Sequence, residues 1–227
     1  MRLKDKVALV TGSGRGIGRG IALAFAEEGA DVIVNALHRE TAESTAQEVR
    51  NLGRKALPIK ADVSSKVEVD QMVKAALDEF GRIDILVCNA GIVTVVPAED
   101  LTEDQWDRAI DVDLKGTFLV SQIVGKTMIK NRGGNIIIIT STRGFRGAYG
   151  RLAYCASKAG QVLMTKTLAF EWAKYGIRVN AIAPGAIITE ETLERWKREG
   201  RDLQSMAERI PLGRMGEPED VAKVAVF

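Results

Sequence analysis

The sequence predicts an α/β fold, a doubly wound parallel sheet with helices on both faces, and three observations predict it. Short apolar runs alternate with longer segments that are apolar at helical spacing, along the whole chain. The connections between them are short, as parallel βαβ units require. A glycine cluster, Gly12, Gly14, Gly16 and Gly18, separates the first apolar run from the first helical pattern.

Each element follows from its local pattern. Lys6 to Thr11 is a short apolar strand, and a helix runs from the glycines to about Glu28. Asp31 to Asn35 is a second strand and Glu40 to Asn51 a helix. Ala56 to Lys60 is a third strand, closed by Ala61-Asp62-Val63, before a helix over Lys66 to Phe80. Ile83 to Cys88 is a fourth strand ending in Asn89-Ala90-Gly91. Glu103 to Asn131 reads as helix whose pattern breaks around Gly116. Four consecutive isoleucines, Ile136 to Ile139, make a buried fifth strand that ends at Ser141. A long helix from Ala153 to Tyr175 and a sixth strand from Ile177 to Ile182 follow. Nothing marks a linker or a repeat, so residues 1–227 form one domain, with a charged loop at about 186–210 over its mouth.

Composition narrows the function. Apolar residues make up 46% and charged ones 27%, an ordinary globular balance with no stretch able to span a bilayer. Net charge is +2 with the basic residues scattered, which argues against nucleic acid as a partner. The chain runs directly into a strand without a signal-peptide core, and Cys88 and Cys155 fall in buried elements, so a reduced, cytoplasmic setting is expected. A single His38 leaves no zinc-ligand spacing and no serine–histidine triad. No metal site is expected.

Ligands in such folds sit beyond the carboxyl ends of the strands. Gly12 to Gly18, Asn89 to Gly91, Ser141 and Pro184-Gly185 all fall at such ends and should share one crevice. Glycines between a strand and a helix let backbone amides approach a phosphate at the positive helix end. A tight turn without a ligand is the plainer alternative. Tyr154 and Lys158, four apart on a helix, point the same way. A phenol titrates near 10, and an ammonium close by favours its ionised form. Ser141 is then placed to hold the oxygen of a carbonyl or alcohol while Tyr154 moves a proton. Such a pair also arises by chance on many helices.

Taken together, Thr11-Gly-x-x-x-Gly-x-Gly18, Asp62, Asn89-Ala-Gly91, Ser141, Tyr154-x-x-x-Lys158 and Pro184-Gly185 resemble the short-chain dehydrogenase/reductase family over essentially the whole chain. The resemblance implies a Rossmann-like fold and reversible hydride transfer between a nicotinamide and a carbon bearing a hydroxyl or ketone. It implies catalytic roles for Ser141, Tyr154 and Lys158, and for Asp113 beside them. It places the cofactor against Gly12, Ser13, Arg15, Gly16, Ile17 and Gly18, against Asp62, Val63, Asn89, Ala90 and Gly91, and against Pro184, Gly185, Ile187 and Thr189, with Tyr154 and Lys158 at the nicotinamide end. It also implies pairing through the long helices, as a homodimer or homotetramer.

Cofactor choice turns on the end of the second strand, where a carboxylate would accept the ribose hydroxyls of NAD. Here Asn35-Ala36-Leu37-His38-Arg39 carries none before Glu40. Arg15 and Arg39 are expected to clamp a 2′-phosphate, with Asn35 and His38 nearby, so NADP is preferred and NAD stays open. The alternative for Arg39 is a solvated helix start.

Two departures from the family stand out. Asp113 occupies the place of an asparagine that in many relatives supports the lysine through water. An ionised Asp113 that still anchors this water, with a higher-pH activity optimum, is the expectation. The chain also stops at Phe227, where relatives continue into a seventh strand, so that strand is expected to be missing and the sheet edge covered by association or by further chain. Arg143, Phe145, Arg146, Tyr149 and Arg151 lie beside the serine, and Glu190, Glu191, Arg195, Trp196, Lys197 and Arg198 lie in the covering loop. They point to an anionic or polyhydroxylated substrate: a small alcohol or ketone such as a sugar or polyol, or a 3-oxoacyl thioester. A non-catalytic NAD(P)H-binding sensor or structural subunit is the competing reading.

Overall fold

The computed structural model describes residues 1–227. Its centre is a six-stranded, all-parallel sheet: β1 (Val7–Val10), β2 (Asp31–Ala36), β3 (Ala56–Lys60), β4 (Ile85–Cys88), β5 (Gly134–Ile139) and β6 (Ile177–Ile182). The order is β3-β2-β1-β4-β5-β6, so the chain reverses direction across the sheet between β1 and β4. That reversal opens a crevice beyond the strand ends.

The strands are apolar almost throughout, yet consecutive side chains serve opposite faces. Leu9, Ile33, Leu86, Ile136 and Ile138 pack with Val69, Met72 and Val73 of α3 (Lys66–Phe80) and with Val120, Val124 and Met128 of α5 (Gly116–Asn131). Ala8, Val10, Val32, Val34 and Val87 face α1 (Gly16–Glu27), α2 (Arg39–Asn51) and α9 (Pro218–Val226). Phe25, fully buried, anchors this second layer. The long α6 (Leu152–Trp172) lies beside β6, the last strand of the sheet, which pairs only with β5. No seventh strand is present, as expected.

Two details depart from the sequence reading. The helix expected over Glu103 to Asn131 is three pieces, α4 (Glu103–Ala109), a π-helical stretch over Ile110–Lys115, and α5. The pattern change lies at the wide turn, and Gly116 merely follows it. Gly116 is needed there because a Cβ would press on Val63. The covering segment is largely helical, with α7 (Glu190–Arg198) and α8 (Leu203–Glu208), and a backbone bridge between Ile187 and Gly216 pins its two ends together. Thr189 caps α7 by accepting from the Thr192 amide at 3.1 Å. No helix is long and apolar enough to cross a membrane.

Candidate active site

A crevice of about 880 Å³ runs along the carboxyl ends of the strands. Its first wall is the turn from β1 into α1. Gly16 has φ +55°, a left-handed backbone that costs a glycine little. Gly18 is required by proximity, since a Cβ there would overlap the Gly12 carbonyl oxygen and Asn89 Nδ2. Arg15 stands at the N-cap of α1 without a side-chain capping bond, and the first turn holds no acidic residue. The free amides and positive end of a twelve-residue helix therefore face the crevice, a cradle that fits a pyrophosphate. Asn89 locks this wall to β4, its Nδ2 donating to the carbonyls of Thr11 and Gly12, both at 3.0 Å.

The second wall carries Ser141, Tyr154 and Lys158 from three chain positions. Ser141, buried just past β5, accepts from the Arg143 amide at 3.1 Å, which leaves its own proton free to donate. Tyr154 sits in the first turn of α6 and Lys158 one turn on. The Lys158 Nζ lies 5.6 Å from the centre of the Tyr154 ring. Lys158 as a whole is only 4% exposed, and its Nζ donates to the Ile139 carbonyl at 3.1 Å and to Gln161 Oε1 at 3.0 Å.

Asp113 stands behind this wall and not in it. It has no exposed surface, and its Oδ1 accepts from the Ile92 amide at 2.8 Å. The Ser157 hydroxyl lies 3.2 Å from its Oδ2. Burial pushes its carboxyl above the ordinary range, opposed in part by the Lys158 charge, the Ile92 amide and Ser157. Desolvation therefore works against the ionised form expected of Asp113, while the Lys158 charge works for it. Just past β3, Asp62 accepts from the Ser64 amide at 2.9 Å and hydroxyl at 2.7 Å, and from Arg108 at 3.2 Å. Burial alone would raise it; these donors and the Arg108 charge prevail and hold it below the usual carboxylate range.

Most of the residues singled out from sequence meet at the crevice. Gly12, Arg15, Gly16, Ile17, Asn35, His38, Asp62, Val63, Asn89, Ala90, Gly91, Ser141, Tyr154, Lys158, Pro184, Gly185, Ile187 and Thr189 line it. Ser13, Gly18, Arg39 and Asp113 do not. Ser13 is buried and donates to the Val10 carbonyl at 2.7 Å, and Gly18 lies under Gly12. Arg39 opens α2 exposed to solvent, outside the lining that holds Arg15. Asn35 reaches the crevice wall with its side chain committed, donating to the Ala61 carbonyl at 3.1 Å and accepting from Gly12. Arg143, Phe145, Arg146, Tyr149 and Arg151 lie outside the lining, as do Lys197 and Arg198, whereas Glu190, Glu191, Arg195 and Trp196 belong to it.

Sequence reasoning missed Gln161, Ser157, Thr117 and Arg108. The signal for Gln161 was present, a polar residue one turn past Lys158 on a helix face otherwise buried. It also missed that Arg151, Arg195 and Arg201 gather around one carboxylate, Glu199. The Arg195 Nε is buried without a hydrogen-bond partner.

Known proteins share this architecture. The family model for short chain dehydrogenases matches residues 6–200. The chain is 43% identical to the (2S)-[(R)-hydroxy(phenyl)methyl]succinyl-CoA dehydrogenase subunit BbsD of Thauera aromatica, covering 100% of this chain and 90% of that protein. It is likewise 43% identical to the 3-oxoacyl-[acyl-carrier-protein] reductase FabG of Thermotoga maritima, covering 100% of this chain and 91% of that protein. A 7 alpha-hydroxysteroid dehydrogenase, solved with NADH and 7-oxo glycochenodeoxycholic acid, superimposes with a TM-score of 0.95 at 35% identity, over 100% of this chain and 88% of that one. With its six-stranded Rossmann-like sheet and glycine-cradled crevice, the chain belongs to the short-chain dehydrogenase/reductase family, NAD(P)-dependent oxidoreductases that interconvert alcohols and ketones.

Proposed function

We propose that Ser141, Tyr154 and Lys158 carry the hydride-transfer chemistry, on an acyl thioester bearing a 3-oxo or 3-hydroxy group, with NADP preferred. The observation that carries this reading is the convergence of a free serine hydroxyl, a phenol and a buried amine on the crevice that begins at the glycine turn. A nicotinamide bound there supplies or accepts the hydride. In ketone reduction, Ser141 Oγ donates to the ketone oxygen and holds it. Tyr154 Oη gives its proton to that oxygen as negative charge develops on it. The Lys158 ammonium stabilises the charge left on the phenol oxygen, and alcohol oxidation runs the same transfers backwards.

NADP is preferred because the end of β2 offers no carboxylate to repel a 2′-phosphate, while Arg15 lines the crevice. Its only ionic partner is Glu191 at 3.0 Å, an exposed pair that is easily exchanged. The thioester reading draws on the two 43% identical relatives, both named for thioester substrates. It draws also on Arg195, which lines the crevice and belongs to a cluster of three guanidiniums around the Glu199 carboxylate. An anionic carrier arm suits that surplus charge.

The test is turnover with NADP and NAD against a panel of 3-oxoacyl-CoA esters, polyols and simple ketones. Wild type is expected to reduce the thioester fastest with NADPH. Tyr154→Phe should lose at least about a hundredfold in kcat, the scale of general acid catalysis. Arg15→Ala should raise KM for NADPH and leave NADH alone. Wild-type turnover by Tyr154→Phe removes the assignment of the phenol, and a polyol as best substrate removes the thioester.

A further inference from the structure

Gln161 is buried completely beneath the crevice, and every polar atom of its carboxamide is used. Nε2 donates to the main-chain carbonyl of Asp113 at 2.7 Å and to Thr117 Oγ1 at 2.8 Å. Thr117 Oγ1 in turn donates to the same Asp113 carbonyl at 2.7 Å. With both amide protons so engaged, the carboxamide has one orientation, and Oε1 must face Lys158 Nζ at 3.0 Å. Lys158 has three protons. One goes to Gln161 and one to the Ile139 carbonyl, which leaves one for the crevice that the lysine lines.

The π-helical stretch Ile110–Lys115 completes the arrangement. It presents the Asp113 carbonyl to side chains from two helices, Thr117 of α5 and Gln161 of α6. The Asp113 carboxyl is bonded to Ile92 and Ser157 and faces Lys158 across Gly91 without a direct ion pair. A side chain thus joins the lysine directly to this turn.

We propose that Gln161 is a positioning residue that spans from Lys158 to the Asp113 carbonyl and aims the lysine's one remaining N–H at the cofactor and Tyr154. This rests on the assignment of Tyr154 and Lys158 above. Because a carboxamide holds its protons, the Gln161 side of Lys158 is a fixed anchor and not a proton acceptor. The groups facing Lys158 are Tyr154 on its own helix, the Ile139 carbonyl of β5, Gln161, and the Asp113 carboxyl across Gly91.

Gln161→Met keeps the length and apolar stem and removes the anchor. In alcohol oxidation it should lower kcat about tenfold and move the acid limb of the pH–rate profile upward, because a loosened ammonium stabilises the phenolate less. A residue that served packing alone would leave that limb in place. The effect should vanish in a Lys158→Met background, read as NADPH affinity by fluorescence titration, since Gln161 acts only through the lysine. Thr117→Val, nearly isosteric, removes one support of the carboxamide and should shift the acid limb the same way by less; it serves if Gln161→Met does not fold. An unmoved acid limb in the folded variants, or an undiminished loss of NADPH affinity without Lys158, overturns the proposal while Tyr154→Phe still reports on the assignment beneath it. Wild-type turnover by Tyr154→Phe overturns both.

Discussion

Replacing Asp113 by asparagine should make the protein more stable at neutral pH than it is now, by an amount that depends on pH. The carboxyl is fully buried and its pKa is raised, chiefly by desolvation. Below the unfolded value near 3.9 the group is protonated in both states and contributes its full stability. As pH rises through the elevated folded value, the native state must ionise a group without solvent, and that contribution is lost. Each unit of elevation is worth about 1.4 kcal/mol. For a chain of this size that is about 3–6 °C in Tm. Asparagine does not titrate, and it can meet the same partners. Its Oδ1 can accept from the Ile92 amide, and its Nδ2 can donate to Ser157 Oγ, which already lies 2.9 Å from the Tyr154 carbonyl it can donate to. Thermal melts of both proteins between pH 4 and pH 9 measure the difference directly. The gap in favour of the variant should be small at pH 4, widen as pH rises and then level off. A gap flat across that range, or one that narrows with pH, refutes the assignment of a desolvated carboxyl and restores an ionised Asp113 stabilised by Lys158.

Two further outcomes follow from packing. Gly18→Ala puts a methyl onto the Gly12 carbonyl and Asn89 Nδ2, breaking the bonds that join the turn to β4. The gain in helix propensity does not offset this, so denaturant melts should show a loss of about 1–3 kcal/mol, and NADPH titration a weaker Kd; an unchanged Kd would show that the cradle does not hold the cofactor. Helices α5 and α6 expose Phe118, Leu163 and Phe170, the last at 88%. Self-association through this face is expected, as a dimer or tetramer in light scattering that Phe170→Glu weakens; a wild-type monomer at tens of micromolar counts against it.

The fold was legible because a parallel sheet needs strands that are apolar on both faces, and Ile136 to Ile139 or Val32 to Val34 fit nothing else of that length between helical repeats. The crevice was legible for a related reason: glycines and small polar residues interrupt the apolar runs only at strand ends. What escaped was anything decided by side-chain direction. Arg15 at the start of α1 lines the crevice, whereas Arg39, the first residue of α2, is exposed outside it. A polar side chain in a buried stripe carries a desolvation cost unless it is bonded. Gln161 on that stripe therefore implies a partner, although not which one. Only the packing of α6 against the wide turn shows that the partners are Lys158 on one side and the Asp113 carbonyl on the other. In this chain the unusual aspartate and the buried glutamine are then two halves of one local solution. The wide turn lends its backbone oxygen to Gln161, and the Asp113 side chain fastens the Ile92 loop to α6 through Ser157.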